Sequence, residues 1–264
     1  MSSFLFIATV FLIPVVLSWP VGKAMVWAMD PKDSETGFRG RLARLFGRAA
    51  GGVIDREQDW KAYCLSLLFF NAAMFIFVFA VMALQQYLPL NPDSKGALEL
   101  SLIFNTASSF VTNTNLQHYS GEVSMSYLSQ LFALMWLQFV SAATGIAALT
   151  ALSRGLSGRP AIGNFYRDLL NATLLVLLPL AVVMALLLVL GGVPMTFQGA
   201  ATAETLEGVV LTIARGPAAV FVTIKQLGTN GGGKSRNAAR LVLPFTPPRN
   251  VSAWPPLAHA HRVP

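Results

Sequence analysis

The sequence predicts an all-α polytopic membrane protein whose long helices alternate with short helices that dip back into the bilayer. Three observations carry that prediction. Of the 264 residues, 54% are hydrophobic and only 12% charged, with a mean hydropathy of +0.57, whereas soluble domains are roughly a quarter charged. Apolar runs of about 20 residues, the length a helix needs to cross the hydrocarbon core, recur along the chain. Finally, two short polar runs interrupt apolar surroundings, Thr112-Asn113-Thr114-Asn115 and Gly228-Thr229-Asn230-Gly231-Gly232-Gly233. Each follows a long hydrophobic segment and then a shorter, semi-apolar one.

The first span covers 4–28. It opens MSSFLFIATVFLIPVVLSWP, without the basic n-region and small-residue cleavage site of a secretory signal, so it is kept as a helix. A loop over 31–60 carries Lys32, Arg39, Arg41, Arg44, Arg48 and Arg56. The second span covers 62–88. Segment 97–111 (ALELSLIFNTASSFV) is too short to cross and leads into the first polar run. The third span covers 125–152, and a loop over 154–168 holds Arg154, Arg159 and Arg167. The fourth span covers 169–192. Beyond it, Gly208, Arg215, Gly216 and Pro217 leave only about 217–227 as a short helix. Pro14 and Pro179 fall within spans, where neighbouring helices satisfy the backbone groups a proline frees.

Lys and Arg concentrate in 31–60 and 154–168, while the segment between the second and third spans has only Lys95. The positive-inside rule therefore makes the first two loops cytoplasmic and puts both polar runs and the N-terminus outside. The net charge of +7 is scattered and accompanies no nucleic-acid-binding signature. Lipid headgroups and topology explain it, and nucleic acid is excluded as a partner. The lone Cys64 excludes an internal disulfide and a cysteine-based zinc site.

Non-helical backbone at membrane depth is tolerated where it is buried in protein or lines a watery cavity. Small residues with free carbonyls and hydroxyls are the chemistry that replaces the hydration shell of a monovalent cation. Taken singly, TNTN and NGGG also read as external turns, which Asn, Thr and Gly favour. Their recurrence after two similar approaches points instead to an ion pathway built from repeated units. Gly228 to Ser235 reads GTNGGGKS and satisfies the phosphate-loop pattern, with AVFVTI before it passing for a strand. No acidic residue follows Glu207, however, and the remaining chain is too short for a nucleotide-binding domain.

From Lys234 the composition turns basic and proline-rich, without acids, spans or amphipathic period. Such a tail reads either as disordered or as a change of reading frame after Gly233.

The stretches SSFVTNTNLQHYSGEVSMSYLSQ (108–130) and IKQLGTNGGG (224–233) strongly resemble the KdpA family, the potassium-binding and translocating subunits of bacterial KdpFABC pumps. The resemblance continues through DREQDWKAY (55–63), QQYLPLNP (85–92) and SAATGIA (141–147). It implies a potassium-transporter-superfamily fold, in which four helix–pore loop–helix repeats surround one filter. On that basis 1–30 is an additional N-terminal helix, 61–153 the first repeat and 169–233 an incomplete second repeat. A truncated, frameshifted tail then covers 234–264.

The resemblance further implies that Asn113, Thr114 and Asn115, then Thr229, Asn230 and Gly231, present oxygens to potassium. Gln117 matches a family residue tied to potassium affinity, and its amide either coordinates an ion or braces the filter. His118 and Tyr119 read as external capping or interface residues. Glu122 either draws cations or caps the third span, Asn105 and Ser109 belong to the pore helix, and Lys225 pairs or snorkels. No cofactor is implied, since potassium is the transported substrate. The DKTGT phosphorylation motif is absent, so ATP hydrolysis belongs to a KdpB-like partner, alongside KdpC-like and KdpF-like subunits in the bacterial inner membrane. The alternatives are an inactive membrane fragment and a stand-alone channel or symporter of the same superfamily.

Overall fold

The computed structural model describes residues 3–29, 37–49, 51–159, 161–204, 210–213 and 215–230. Among the described residues, four helices are long and apolar enough to cross a membrane: Phe4–Met29, Trp60–Ala83, Ser129–Leu156 and Phe165–Leu190. In chain order the elements are α1 (Ser3–Met29), α2 (Gly37–Ala49), α3 (Trp60–Ala83), α4 (Leu100–Val111), a single turn α5 (Gly121–Ser124), α6 (Trp136–Leu156), α7 (Phe165–Asn171), α8 (Leu178–Leu190), strands β1 (Ala201–Glu204) and β2 (Val210–Ile213), and α9 (Ala218–Leu227). The third span gains its first two turns from a π-helical stretch, Ser129–Met135, and a second such stretch, Ala172–Leu177, joins α7 to α8.

The spans sit where hydropathy places them, with shifted ends. The second stops at Ala83, where a 3-10 turn over Gln85–Tyr87 takes over. The third starts later and ends later than 125–152, and the fourth begins at Phe165 rather than 169. Two features depart from the sequence reading. The loop over 31–60 contains α2, and β1 and β2 form an antiparallel hairpin ahead of α9. The segment AVFVTI, strand-like in composition, is part of helix α9.

Helix starts follow from caps. The Asp59 carboxylate accepts the Ala62 N–H at 2.8 Å and begins α3. Asn164 begins α7, its Oδ1 accepting from Tyr166 and Arg167, while its Nδ2 donates to the Val53 and Arg56 carbonyls. One asparagine thus caps a span and ties down the preceding loop, the arrangement expected of an Asx N-cap with a spare amide donor.

The span Ser129–Leu156 is central and more than half buried, whereas the α1 span is buried nowhere along its most apolar stretch. Small residues Ala142, Ala143, Ala147 and Ala151 let α6 pack closely on its neighbours, as small side chains do between membrane helices. One core gathers these alanines with Tyr63, Phe165 and Leu169. A second gathers Ile103, Ala107 and Phe110 of α4 with Val78, Met82, Leu134 and Leu137, and it holds the short helix upright against two spans. The fully buried Gln85 finishes this unit, donating to the carbonyls of Gly96 and Ser124 and accepting from Ser126 N–H.

Candidate functional site

Helix α4 delivers the first polar run, and Ser109 shapes it. The Ser109 carbonyl accepts the N–H groups of both Thr114 (2.9 Å) and Asn115 (3.1 Å). Its hydroxyl accepts from Leu116 N–H at 2.8 Å and donates back to the Leu116 carbonyl. The chain reverses because Asn113 and Asn115 lie in the left-handed region, at φ 57° and 53°, a conformation asparagine tolerates better than most residues. The Thr112 hydroxyl caps the helix end on Ser108 and shares a hydrogen bond with Thr114 at 2.8 Å.

The second run is delivered the same way by α9. Gly228 N–H donates to Ile224, Thr229 N–H to Gln226 and Asn230 N–H to Lys225, and Thr229 turns into the left-handed region at φ 64°. Glycine at 228 suits a close approach. A Cβ there would sit 3.0 Å from the Gln138 carbonyl of α6 and from that of Ile224.

The two loops, more than a hundred residues apart in sequence, meet. Asn113 Nδ2 reaches the Gly228 carbonyl at 3.3 Å and the Thr229 hydroxyl at 3.4 Å. Asn115 Nδ2 donates to Asn113 Oδ1 at 3.0 Å and to Asn230 Oδ1. Ser141 of α6 donates to Asn113 Oδ1 at 3.2 Å, fixing that amide from behind. Among the described residues of this cluster, Asn115 Oδ1, Asn230 Nδ2 and both amide atoms of Gln138 are buried without hydrogen-bond partners. A buried polar atom left without a hydrogen-bond partner costs free energy until one is supplied. The cluster thus holds unpaired acceptors and unpaired donors together, among the side-chain amides and hydroxyls of the two loops.

Of the residues singled out by sequence, Asn113, Thr114, Asn115, Thr229 and Asn230 are brought together here. Gly231 lies outside the described residues. Gln117 lines a cavity of about 20 Å³ with Glu122, Gln130, Phe221 and Lys225. That is room for about one water molecule. Burial holds the Lys225 ammonium below its ordinary pKa, with Glu122 pulling the other way. Burial also raises the Tyr119 phenol, opposed by the neighbouring Thr106 and Gln117 side chains. Glu122 is not a cap of the third span; it lies in the turn α5, and the Ser126 hydroxyl accepts Ser129 N–H instead. Asn105 is exposed on α4, while Ser109 is buried at the loop.

Sequence reasoning passed over Gln138 and Ser141, although a polar pair three residues apart within an apolar span is a readable signal of one buried helix face. It also passed over a buried cluster where the third span ends and the fourth begins. There Arg154 grips Asp168 through two hydrogen bonds, at 2.7 and 3.1 Å, and donates to the carbonyls of Met29 and Ile162. Tyr63 donates toward Asp168 and the Ala147 carbonyl.

Comparison with known proteins places this geometry in context. Residues 8–256 match the sequence model of the family described as KdpA, potassium-transporting ATPase A subunit, a span that runs past residue 233. Several curated proteins bearing the name potassium-transporting ATPase potassium-binding subunit are similar. The one from Pseudomonas entomophila is 57% identical over 196 residues, 74% of this chain and 35% of that protein. That from Granulibacter bethesdensis is 45% identical over 236 residues, 88% of this chain and 42% of the relative. That from Alicyclobacillus acidocaldarius is 44% identical over 258 residues, 96% and 45% of the two chains. The chain thus spans less than half the length of these relatives.

Proposed function

Because the chain belongs to the potassium-transporting ATPase A subunit family, we propose that its two polar loops are adjoining segments of a potassium filter. The observation that carries this is the direct meeting of Asn113 and Asn115 with Gly228, Thr229 and Asn230. A potassium ion shedding water there would be met by backbone carbonyls of 113–115 and 229–231 and by the threonine hydroxyls. Oxygen number and field strength favour potassium over other alkali ions. Asn115 Oδ1, buried and unpaired by protein, adds an acceptor. Gln117 and Lys225 line a cavity beside α9, from which the Gln117 amide either coordinates the ion or braces the loop.

In this reading the chain hydrolyses no ATP. It sits in the bacterial inner membrane with its N-terminus outside and assembles with a KdpB-like ATPase subunit and KdpC-like and KdpF-like subunits. Two of the four loops that the family resemblance implies lie in residues 1–264, and further segments close the ring.

The test uses the pump assembled from the ATPase subunits and all filter segments. Asn115→Ala removes one acceptor and the tie to Asn230. The potassium concentration giving half-maximal ATPase activity should rise roughly tenfold, the ratio that corresponds to about 1.4 kcal/mol, with less discrimination against rubidium and sodium. Unchanged affinity and selectivity would remove the filter assignment.

A further inference from the structure

Helix α2 carries the sequence GFRGRLARLFGRA, which contains no acidic residue. Apolar residues recur at 38, 42, 45, 46 and 49, the spacing of a single helical stripe. The helix is held to the protein by its glycine face. Gly40 and Gly47 are buried, and a Cβ on Gly47 would meet the Asp55 carboxylate at 3.1 Å. Gly52 N–H closes the end of the helix on the Gly47 carbonyl. Leu45, on the side opposite Gly47, is 63% exposed, and Arg41, Arg44 and Arg48 are exposed beside it. A helix that buries its glycines and turns leucine outward has a further surface to meet.

That surface is fixed by where the helix is tethered. Asp55, against which Gly47 packs, is paired at 2.9 Å with Arg167 in the first turns of the fourth span. Gln58 and Asn164 lash the same segment to the start of α7. Exposed Trp60 begins α3 just beyond, the residue type that marks a membrane–water interface. α2 is thus held at the level where two spans start and α1 ends.

We propose that α2 is a surface anchor that lays its Leu45 face into the leaflet at which α1 ends and α3 begins, with Arg41, Arg44 and Arg48 on anionic phospholipid headgroups. Apolar insertion and electrostatic attraction act together in such helices, and neither is strong alone. The inference needs only that the chain spans a membrane and is independent of how potassium is bound. It concerns anchorage, and it makes the membrane's charge a determinant of how the segment before α3 is held.

The experiment uses the full chain in nanodiscs, with a nitroxide on Leu45→Cys in a Cys64→Ser background. In discs of phosphatidylcholine with phosphatidylglycerol the label should be accessible to oxygen and shielded from a water-soluble nickel chelate. In phosphatidylcholine alone it should face water. Replacing Arg41, Arg44 and Arg48 by glutamine should lower the docked-to-undocked ratio on the order of 100-fold, at about fivefold for each arginine near an anionic surface. Molar sodium chloride should release the unsubstituted helix as well, since the screening length falls to about 3 Å, which keeps the test independent of how the glutamine variant folds. Equal water exposure in both lipids overturns the proposal. So does shielding that survives salt, or shielding that appears only when an ATPase subunit is added, which would make the occupant a protein.

Discussion

Asp168 and Asn115 are both polar groups buried in a membrane protein, and they are satisfied in opposite ways. Asp168 is fully provided for: two bonds from the Arg154 guanidinium and one from the Tyr63 hydroxyl. The same guanidinium reaches Met29 and Ile162, so α1, α3, α6 and α7 converge on one ion pair. Gly163 lacks a side chain because a Cβ would overlap that guanidinium. Asn115 instead keeps one oxygen unpaired. Removing one partner of a buried pair strands the other charge and costs about 3–5 kcal/mol. Asp168→Asn should therefore lower the thermal unfolding temperature of the detergent-solubilised chain substantially. Asp55→Asn, whose partner Arg167 is more exposed, should cost about 0–1 kcal/mol. Equal small losses would show that the cluster does not hold the helix ends together.

At the scale of elements, the short helices are the ones whose ends matter. α4 and α9 each end in a left-handed reversal that returns amide groups to the last helical turn, and each is wedged against α6. Gly228 lies against the Gln138 carbonyl of α6. Gly228→Ala forces either the α9 terminus or the Gln138 backbone to move, and overpacking of this kind costs about 1–3 kcal/mol. The expected result is a loss of stability together with weakened potassium dependence, read by unfolding and by ATPase activation in the assembled pump. A variant that is native in both would mean the loops are not tightly packed. Much of this was legible beforehand. The length and hydropathy of the spans, the shortness of 97–111 and 217–227, and the polar runs that end them all follow from local composition. The exact helix ends were not, because Asn164, Asp59 and Ser126 decide them through hydrogen bonds. The hairpin of β1 and β2 was hidden too, since its pairing of Ala201 with Ile213 is a contact between chain segments rather than a strong local pattern.

For the whole molecule, the arginine asymmetry sets an expected orientation, and the structure sets which residues gather where along the spans. Met29, Tyr63, Arg154 and Asp168 gather at one end of the spans, while Asn113 and Asn230 meet where α4 and α9 terminate. A reporter fused after residue 160 should read cytoplasmic and one after residue 95 external, as the positive-inside rule requires; the reverse pattern would invert the membrane placement of both polar loops. By itself the sequence determined the membrane class, the number of spans and the polar runs, because bilayer thickness and the cost of unpaired backbone in lipid act on composition and length alone. That Asn113 and Asn115 touch Gly228, Thr229 and Asn230, and that Gln117 and Lys225 line one cavity, is settled by packing alone. Packing also decided that Arg154, read from sequence as one more loop arginine, is buried against Asp168. Each of these is a contact between residues distant in the chain, fixed by how α6 packs between the two units, and residue order carries no local signal for such a meeting.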